Sequence, residues 1–591
     1  MNQKHRDACD PSPRTMTGRR EWIAQCVLAS GAVATLSQAN LLASSLETTT
    51  QEDGSASKAI TAEMVRAASW LSRVPLDDAQ CEQITKGLNA KAKSIEALRS
   101  TPIDENTAMA MTFMPWYFVE GAGNLSSHEA ESVSSDPSKE QGNWRTQDIQ
   151  LPSYQAPEDA AFWSVRQLAV GLRRKLFSSV QLTQMYLDRL KKYDPVLHCV
   201  VNYHGRALDE ARIADEELSQ GKDRGILHGI PWGAKDIISI PGMPTTWGAI
   251  DYKDTVRESL ATVAKRMKEA GAILLAKLSV GTLAWGDKWF AETTRNPWDT
   301  SKGSSGSSAG SASATVAGLC GFAIGSETLG SIVSPTRVCC TSGLRPTFGR
   351  VSRFGCMTLG WSMDKIGPIA RHVEDCAWIF EAMIGVDGLD ASVVDRPFSW
   401  PVEKLDLTKL RVGVPKNLRR SEGLISELFR AAGATMVEID FPADPRINAM
   451  SDAISVEAAT MHGDLFEKIE KDSQVGEWGP SFREAQFCSA IDYVQAMRAR
   501  VDLVRKTETV LRGVDVLIGD GNLTRMNLTG HPSLVVSFGT NEEQSRPNTV
   551  VLTSKFFAES ELLQSGIWIQ EQLPPLPSEP PISTPEAEKT E

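Results

Sequence analysis

Apolar residues recur along this chain with two different periods. Leu182, Tyr186 and Leu190 stand at i, i+4 and i+8 with Met185 alongside, which predicts a helix with one buried stripe, and Ser179 ahead of them predicts its cap. Leu260, Val263 and Met267 repeat the helical spacing and stop at Gly271. The unbroken run Ala272-Ile273-Leu274-Leu275-Ala276 then predicts a buried strand, and Phe322-Ala323-Ile324 has the same character. Helices alternating with buried strands predict an α/β fold, and a further helical region is expected from Ile60 to Leu98.

Where the pattern fades, composition sets the limits. Ser, Thr and Ala dominate from Ala43 to about Gly54, and Glu120 to Ser153 is polar and rich in turn residues, so the main domain is expected to span 159–572 behind a linker and helical extension over 40–158. The tail 573–591, with Pro574-Pro575 and Pro580-Pro581, is expected to be disordered. At the other end Arg19-Arg20 precede a mostly apolar stretch, Trp22 to Leu36, and the small-x-small run Ser37-Gln38-Ala39. That order reads as a twin-arginine signal peptide over 1–39 and an exported, periplasmic protein; the plainer reading is a surface amphipathic helix with two solvated arginines. The apolar stretch is shorter than the roughly 20 residues a spanning helix needs, so no membrane span is expected.

Length and charge narrow the function. A chain of 591 residues builds a large core without disulfide or metal staples. Its net charge of −12 argues against a nucleic-acid groove driven by bulk electrostatics. The ten cysteines show no CxxC spacing, so most of them read as small buried apolar residues and no metal or cofactor is implied.

Three segments carry candidate chemistry. The run Gly303-Ser304-Ser305-Gly306-Ser307-Ser308-Ala309-Gly310-Ser311 offers hydroxyls and backbone N–H donors at the start of a helix. By composition alone it is a flexible linker, yet it lies between two apolar strands, where a structureless linker would split a core. Gly325-Ser326-Glu327-Thr328-Leu329-Gly330-Ser331 follows a buried strand and is either an ordinary turn or one that exposes a hydroxyl and aims successive N–H groups at one point. Lys235, in Gly233-Ala234-Lys235-Asp236-Ile237, is either a snorkelling side chain or a buried base.

Together with Gly343-Leu344-Arg345-Pro346-Thr347-Phe348-Gly349, these motifs resemble the amidase-signature family in order and spacing, from about Leu168 to Leu563. The resemblance implies a mixed sheet flanked by helices, a small-molecule amide as substrate and a Lys235–Ser307–Ser331 triad. Ser331 would be the nucleophile, Ser307 a serine held through a cis peptide and Lys235 the base. The N–H groups of Thr328, Leu329, Gly330 and Ser331 would bind the oxyanion, with Gly306, Ser308 and Asp236 supporting the triad or meeting substrate. A free lysine is protonated at neutral pH, and lowering its pKa by ~3 units takes about 4 kcal/mol of differential interaction, which burial of Lys235 must supply. Four positions depart from the family pattern: Glu327 where aspartate is common, Leu329 in place of a glycine run, Val333 where arginine is frequent and Cys340 in place of glycine.

Three rivals remain. Gly306-Ser307-Ser308-Ala309-Gly310 fits G-x-S-x-G, with Ser308 as nucleophile and His372, His462 or His531 as base, but the turn-like Asn296–Thr300 ahead of it lacks the strand that such an elbow needs. The A subunit of a glutamyl-tRNA(Gln) or aspartyl-tRNA(Asn) amidotransferase carries the same signature, although an export signal contradicts it. The third is a catalytically silent binding protein on the same fold. No motif names the amide or the oligomeric state; Trp285, Trp289 and Trp361 are either pocket lining or core.

Overall fold

A computed structural model of the chain describes residues 59–72, 76–101, 149–398, 400, 405–468, 477–519, 522–541, 546–576 and 579–583. The signal expected over 1–39 and most of the linker lie outside these residues. From Ile60 onward the chain forms one compact unit.

The strands are β1 (Val200–Tyr203), β2 (Pro231–Lys235), β3 (Ile273–Leu278), β4 (Arg295–Asn296), β5 (Asp299–Gly303), β6 (Phe322–Glu327), β7 (Ser342–Arg345), β8 (Lys365–Ala370), β9 (Arg411–Pro415), β10 (Thr435–Ile439), β11 (Val516–Ile518), β12 (Ser533–Asn541) and β13 (Arg546–Thr553). Eleven of them make one mixed sheet in the order β1-β3-β2-β6-β8-β7-β12-β13-β11-β9-β10, and β4 with β5 form a separate ribbon. The expected α/β architecture is therefore present. Every residue of β2, β3, β6 and β8 is buried, as strands covered on both faces must be, which is why their sequences read as continuous apolar runs without alternation. β2 runs parallel to both β3 and β6, so the C-terminal ends of these three strands emerge on the same edge.

The predicted helices form with small shifts. The helix Ser179–Leu197 buries Leu182, Met185, Tyr186 and Leu190 as expected, but its cap is Ser178, whose side chain accepts from the Gln181 N–H. Gln181 reciprocates to the Ser178 N–H at 2.9 Å, a capping box that the chain spells as Ser-x-x-Gln. The helix Thr262–Glu269 ends before Gly271, whose φ of +76° suits glycine. Ile60–Leu98 becomes two helices, Ala62–Ser72 and Asp78–Ser100.

Residues on both sides of the expected 159–572 domain also touch its core. Ile149, Leu151 and Tyr154 pack on the main core, ten residues ahead of the expected start at 159. In the tail, Leu573 and Ile582 also rest on that core, and Glu579 lies 3.5 Å from Arg189. The apolar anchors flank the proline pairs, Leu573 just before the first and Ile582 just after the second, and their burial favours this contact.

Candidate functional site

Lys235 is the last residue of β2, and Ser326 and Glu327 are the last of its parallel neighbour β6, so one sheet edge presents all three. The Gly/Ser run is no linker. Gly303 ends β5, residues 304–308 form a loop, and Ala309–Val316 is a helix with every residue buried. Its small side chains follow from crowding: a Cβ at Gly306 would lie 1.8 Å from the Gly286 carbonyl oxygen, and one at Gly310 2.5 Å from that of Cys199. The peptide between Gly306 and Ser307 is cis. β5 is a strand where a turn-like run was expected, but it belongs to the β4–β5 ribbon and not to the main sheet.

Lys235 is wholly buried. Its Nζ lies 2.8 Å from Ser307 Oγ, 2.8 Å from Ser326 Oγ, 3.1 Å from Ser308 Oγ and 3.2 Å from the Ser326 carbonyl oxygen. Burial pushes its pKa down to about 7, and Asp364 and Glu327 oppose the shift only from a distance. A neutral amine has two N–H donors and one lone pair, so one neighbouring hydroxyl must donate to it. Ser308 does not, because its hydroxyl already donates to the Ser326 carbonyl while accepting from the Ser326 N–H. Ser307 and Ser326 remain as the donors available.

The second serine lies in the turn after β6. The Ser331 carbonyl accepts from the Ser308 N–H at 3.1 Å, which ties this turn to the loop carrying Ser307. Gly330 has φ +88°, a conformation that side chains resist. Among the described residues the N–H groups of Leu329, Gly330 and Ser331 donate to no acceptor, which leaves them available to a ligand anion. Glu327 braces the turn from beneath: its carboxylate accepts from the N–H groups of Ile332 and Val333, each at 2.8 Å, and from Arg345 at 2.8 Å and Asn527 at 2.7 Å. Burial alone would raise its pKa, but Arg345, Lys365 and these hydrogen bonds hold the carboxyl down at about 2. Lys365 in turn donates to the Thr328 carbonyl at 3.2 Å, and the Thr328 hydroxyl donates to Asp364. Val333 therefore contributes its backbone to the brace, and Glu327 makes four hydrogen bonds there. Cys340 has φ +56°, a conformation that favours glycine.

Asp236, in the turn that follows β2, has other partners. Its carboxylate pairs with Lys277 at 2.7 Å, both side chains fully buried, and accepts from the Thr246 N–H at 2.9 Å. Among the described residues it forms no hydrogen bond with the serines around Lys235.

Among the described residues none of the three histidines hydrogen-bonds to Lys235, Ser307 or Ser331. His372 stands at the N-cap position of the helix Val373–Met383 without a side-chain capping bond, His462 Nε2 meets the Thr358 carbonyl at 3.0 Å, and His531 stacks on Phe556 at 3.9 Å between Thr529 and Glu508. Trp285 and Trp361 are about half exposed, so the core reading fails for both, and Trp285 packs edge-on against Trp478 at 4.7 Å. Ser326, Arg345, Asn527 and Lys277 make contacts with Lys235, Glu327 or Asp236 that sequence reasoning did not assign. Ser326 and Arg345 lie inside the quoted motifs; Lys277 and Asn527 carry no local signal.

The chain belongs to the Amidase family, whose model matches residues 181–519. It is 40% identical over 295 residues to the A subunit of the glutamyl-tRNA(Gln) amidotransferase of Methylococcus capsulatus and 38% identical over 294 residues to that of Acinetobacter baylyi, in each case over 47% of this chain and 60% of the relative. It thus spans less than two thirds of the length of those relatives. Among solved structures, the peptide amidase of Stenotrophomonas maltophilia superposes with a TM-score of 0.64 at 26% identity, covering 72% of this chain and 100% of that one. A bacterial aryl acylamidase shares the fold with a TM-score of 0.60 at 21% identity, covering 69% of this chain and 96% of its own.

Proposed function

We propose that this protein hydrolyses a small-molecule amide through an acyl-enzyme, with Ser331 as nucleophile, Ser307 as relay and Lys235 as base. The observation that carries the reading is the fully buried Lys235 Nζ at 2.8 Å from Ser307 Oγ, with its pKa lowered to about 7. Neutral Lys235 takes the Ser307 proton, Ser307 takes that of Ser331, and the Ser331 oxygen adds to the amide carbonyl. The N–H groups of Thr328, Leu329, Gly330 and Ser331 receive the negative charge on the carbonyl oxygen. Collapse expels the amine, which collects the proton through the same relay, and water then attacks the acyl ester by the reverse route. Gly306 and Ser308 hold Ser307 in place, and no metal or cofactor enters the scheme.

The test is ammonia or amine release from aliphatic, aryl and amino-acid amides by the wild type and by Ser331→Ala, Ser307→Ala and Lys235→Ala. Each substitution is expected to cost at least ~10²-fold with the fold retained. An active Lys235→Ala variant, or an essential His372, His462 or His531, overturns the assignment.

A second reading, the A subunit of a tRNA-dependent amidotransferase, is favoured by the names of the relatives most similar in sequence. It predicts glutamine-derived ammonia transferred to misacylated tRNA in the presence of partner subunits, whereas the hydrolase reading predicts release to water without partners. Export by the twin-arginine route is part of the first reading and rests on Arg19-Arg20 and the apolar stretch behind them. Replacing both arginines by lysine should retain the protein in the cytoplasm of a competent host; unchanged fractionation removes the signal reading.

A further inference from the structure

A cavity of about 290 Å³ lies away from the serines, between the extension and the helices Ile447–Lys468, Trp478–Ala485 and Ala490–Leu511. That volume sits at the small end of ligand pockets, roughly 300–1,000 Å³. Ile60, Met64, Leu88 and Ile95 of the extension form one wall, and Ala453 and Val456 form part of the other. Met64 is 51% exposed and marks the mouth.

The polar groups on this apolar surface are nearly all occupied. Lys91 pairs with Glu484 at 3.3 Å, and Glu484 is locked against the extension, since a Cβ at Gly87 would fall 1.8 Å from its carboxylate. Asp492 accepts from Ser489 Oγ at 2.7 Å, and the Tyr493 hydroxyl donates to Glu457 at 3.2 Å. Asp452 is different. It lines the cavity on the same helical face as Ala449, Ala453 and Val456, and among the described residues its carboxylate has neither a hydrogen bond nor an ion pair. The wall thus carries three carboxylates, Asp452, Glu484 and Asp492, against the single ammonium of Lys91.

We propose that this cavity binds an amphiphilic ammonium ion, a primary amine whose alkyl or aryl body fills the apolar space while its head pairs with Asp452. An apolar body gains by leaving water, and a cation at Asp452 satisfies a carboxylate that burial otherwise disfavours. Consistent with this, burial raises the Asp452 carboxyl, with Lys91 opposing and Glu484 reinforcing the shift. Carboxylate and neutral analogues of the same body lack the matching charge. The site stands independently of the hydrolase reading, because it contains none of the triad.

The experiment is calorimetric titration of the full chain at neutral pH with hexylamine and phenethylamine, and with hexanol and hexanoate as charge controls. The amines are expected to bind with one-to-one stoichiometry and hexanoate not at all. Asp452→Asn should weaken the amines by roughly tenfold or more, and Ala92→Trp, which fills the cavity from the extension side, should abolish binding. Ser331→Ala, which abolishes hydrolysis on the reading above, should bind the amines normally. The proposal fails if no amine binds, if hexanol or hexanoate binds as well as hexylamine, or if Asp452→Asn or Ala92→Trp leaves affinity unchanged.

Discussion

Lys235 and Lys277 sit on adjacent parallel strands, β2 and β3, and both are wholly buried. Burial lowers the pKa of each. Lys277 meets the Asp236 carboxylate at 2.7 Å and the Thr245 hydroxyl at 3.0 Å, so its charge is compensated and it holds the sheet together. Lys235 meets three hydroxyls and a carbonyl, which solvate an ammonium less well than a carboxylate does, and its pKa falls to about 7. Depth within the protein does not separate the anchor from the proposed base; the partner at the end of the side chain does.

The comparison is open to attack, beginning with the largest effect. Lys235→Met should reduce kcat/KM by about 10²- to 10⁴-fold, the range expected for loss of a general base. Its thermal midpoint at neutral pH should not fall. The sign follows from proton linkage: with a folded pKa of about 7 against 10.5, the unfolded chain binds more protons between these values, so the site opposes folding at neutral pH and the penalty fades as pH rises toward 10.5. A clear drop in the midpoint would place Lys235 among the anchors.

Lys277→Met should do the converse and strand the buried Asp236 carboxylate, costing about 3–5 kcal/mol in urea unfolding. If that variant is stable but inactive, the roles of the two lysines are wrongly divided. Next in size is the pH profile. Because only the neutral amine accepts a proton, kcat/KM should rise with pH through an apparent pKa of about 7 and then level off. A profile flat from pH 5 to 9 would remove Lys235 as the base.

The smallest effect is expected at Ser326, whose hydroxyl is 2.8 Å from Lys235 Nζ. Ser326→Ala should lower kcat/KM by about tenfold and displace the acid limb, since it removes one of the two hydroxyls able to donate to the neutral amine. Unchanged rate and limb would show that Ser307 alone serves that lone pair.

Much of this protein was legible before any fold was known, because the signals were local. Helical and strand periods marked the helix from 179 and the strand near 273, since burial of one stripe or of a whole strand leaves its period in the chain. The Gly/Ser run was marked as ordered by the apolar strands on either side. Its contact with Lys235 and the cis Gly306–Ser307 peptide agree with what the family resemblance implies. Even the one-residue error at Ser178 had its correction in the local Ser-x-x-Gln pattern.

Tertiary structure decided which buried charge is compensated. Lys277 reaches Asp236 across two strands, Asn527 reaches Glu327 from 200 positions away, and Lys235 is left among hydroxyls. It also decided that Leu573 and Ile582 hold a proline-rich tail on the core and that Trp285 and Trp361 stay half exposed. A side chain's pKa and exposure depend on what surrounds it within a few ångströms, and those neighbours come from distant parts of the chain. Local pattern carries period and candidate chemistry, but only packing brings a lysine to a carboxylate or denies it one.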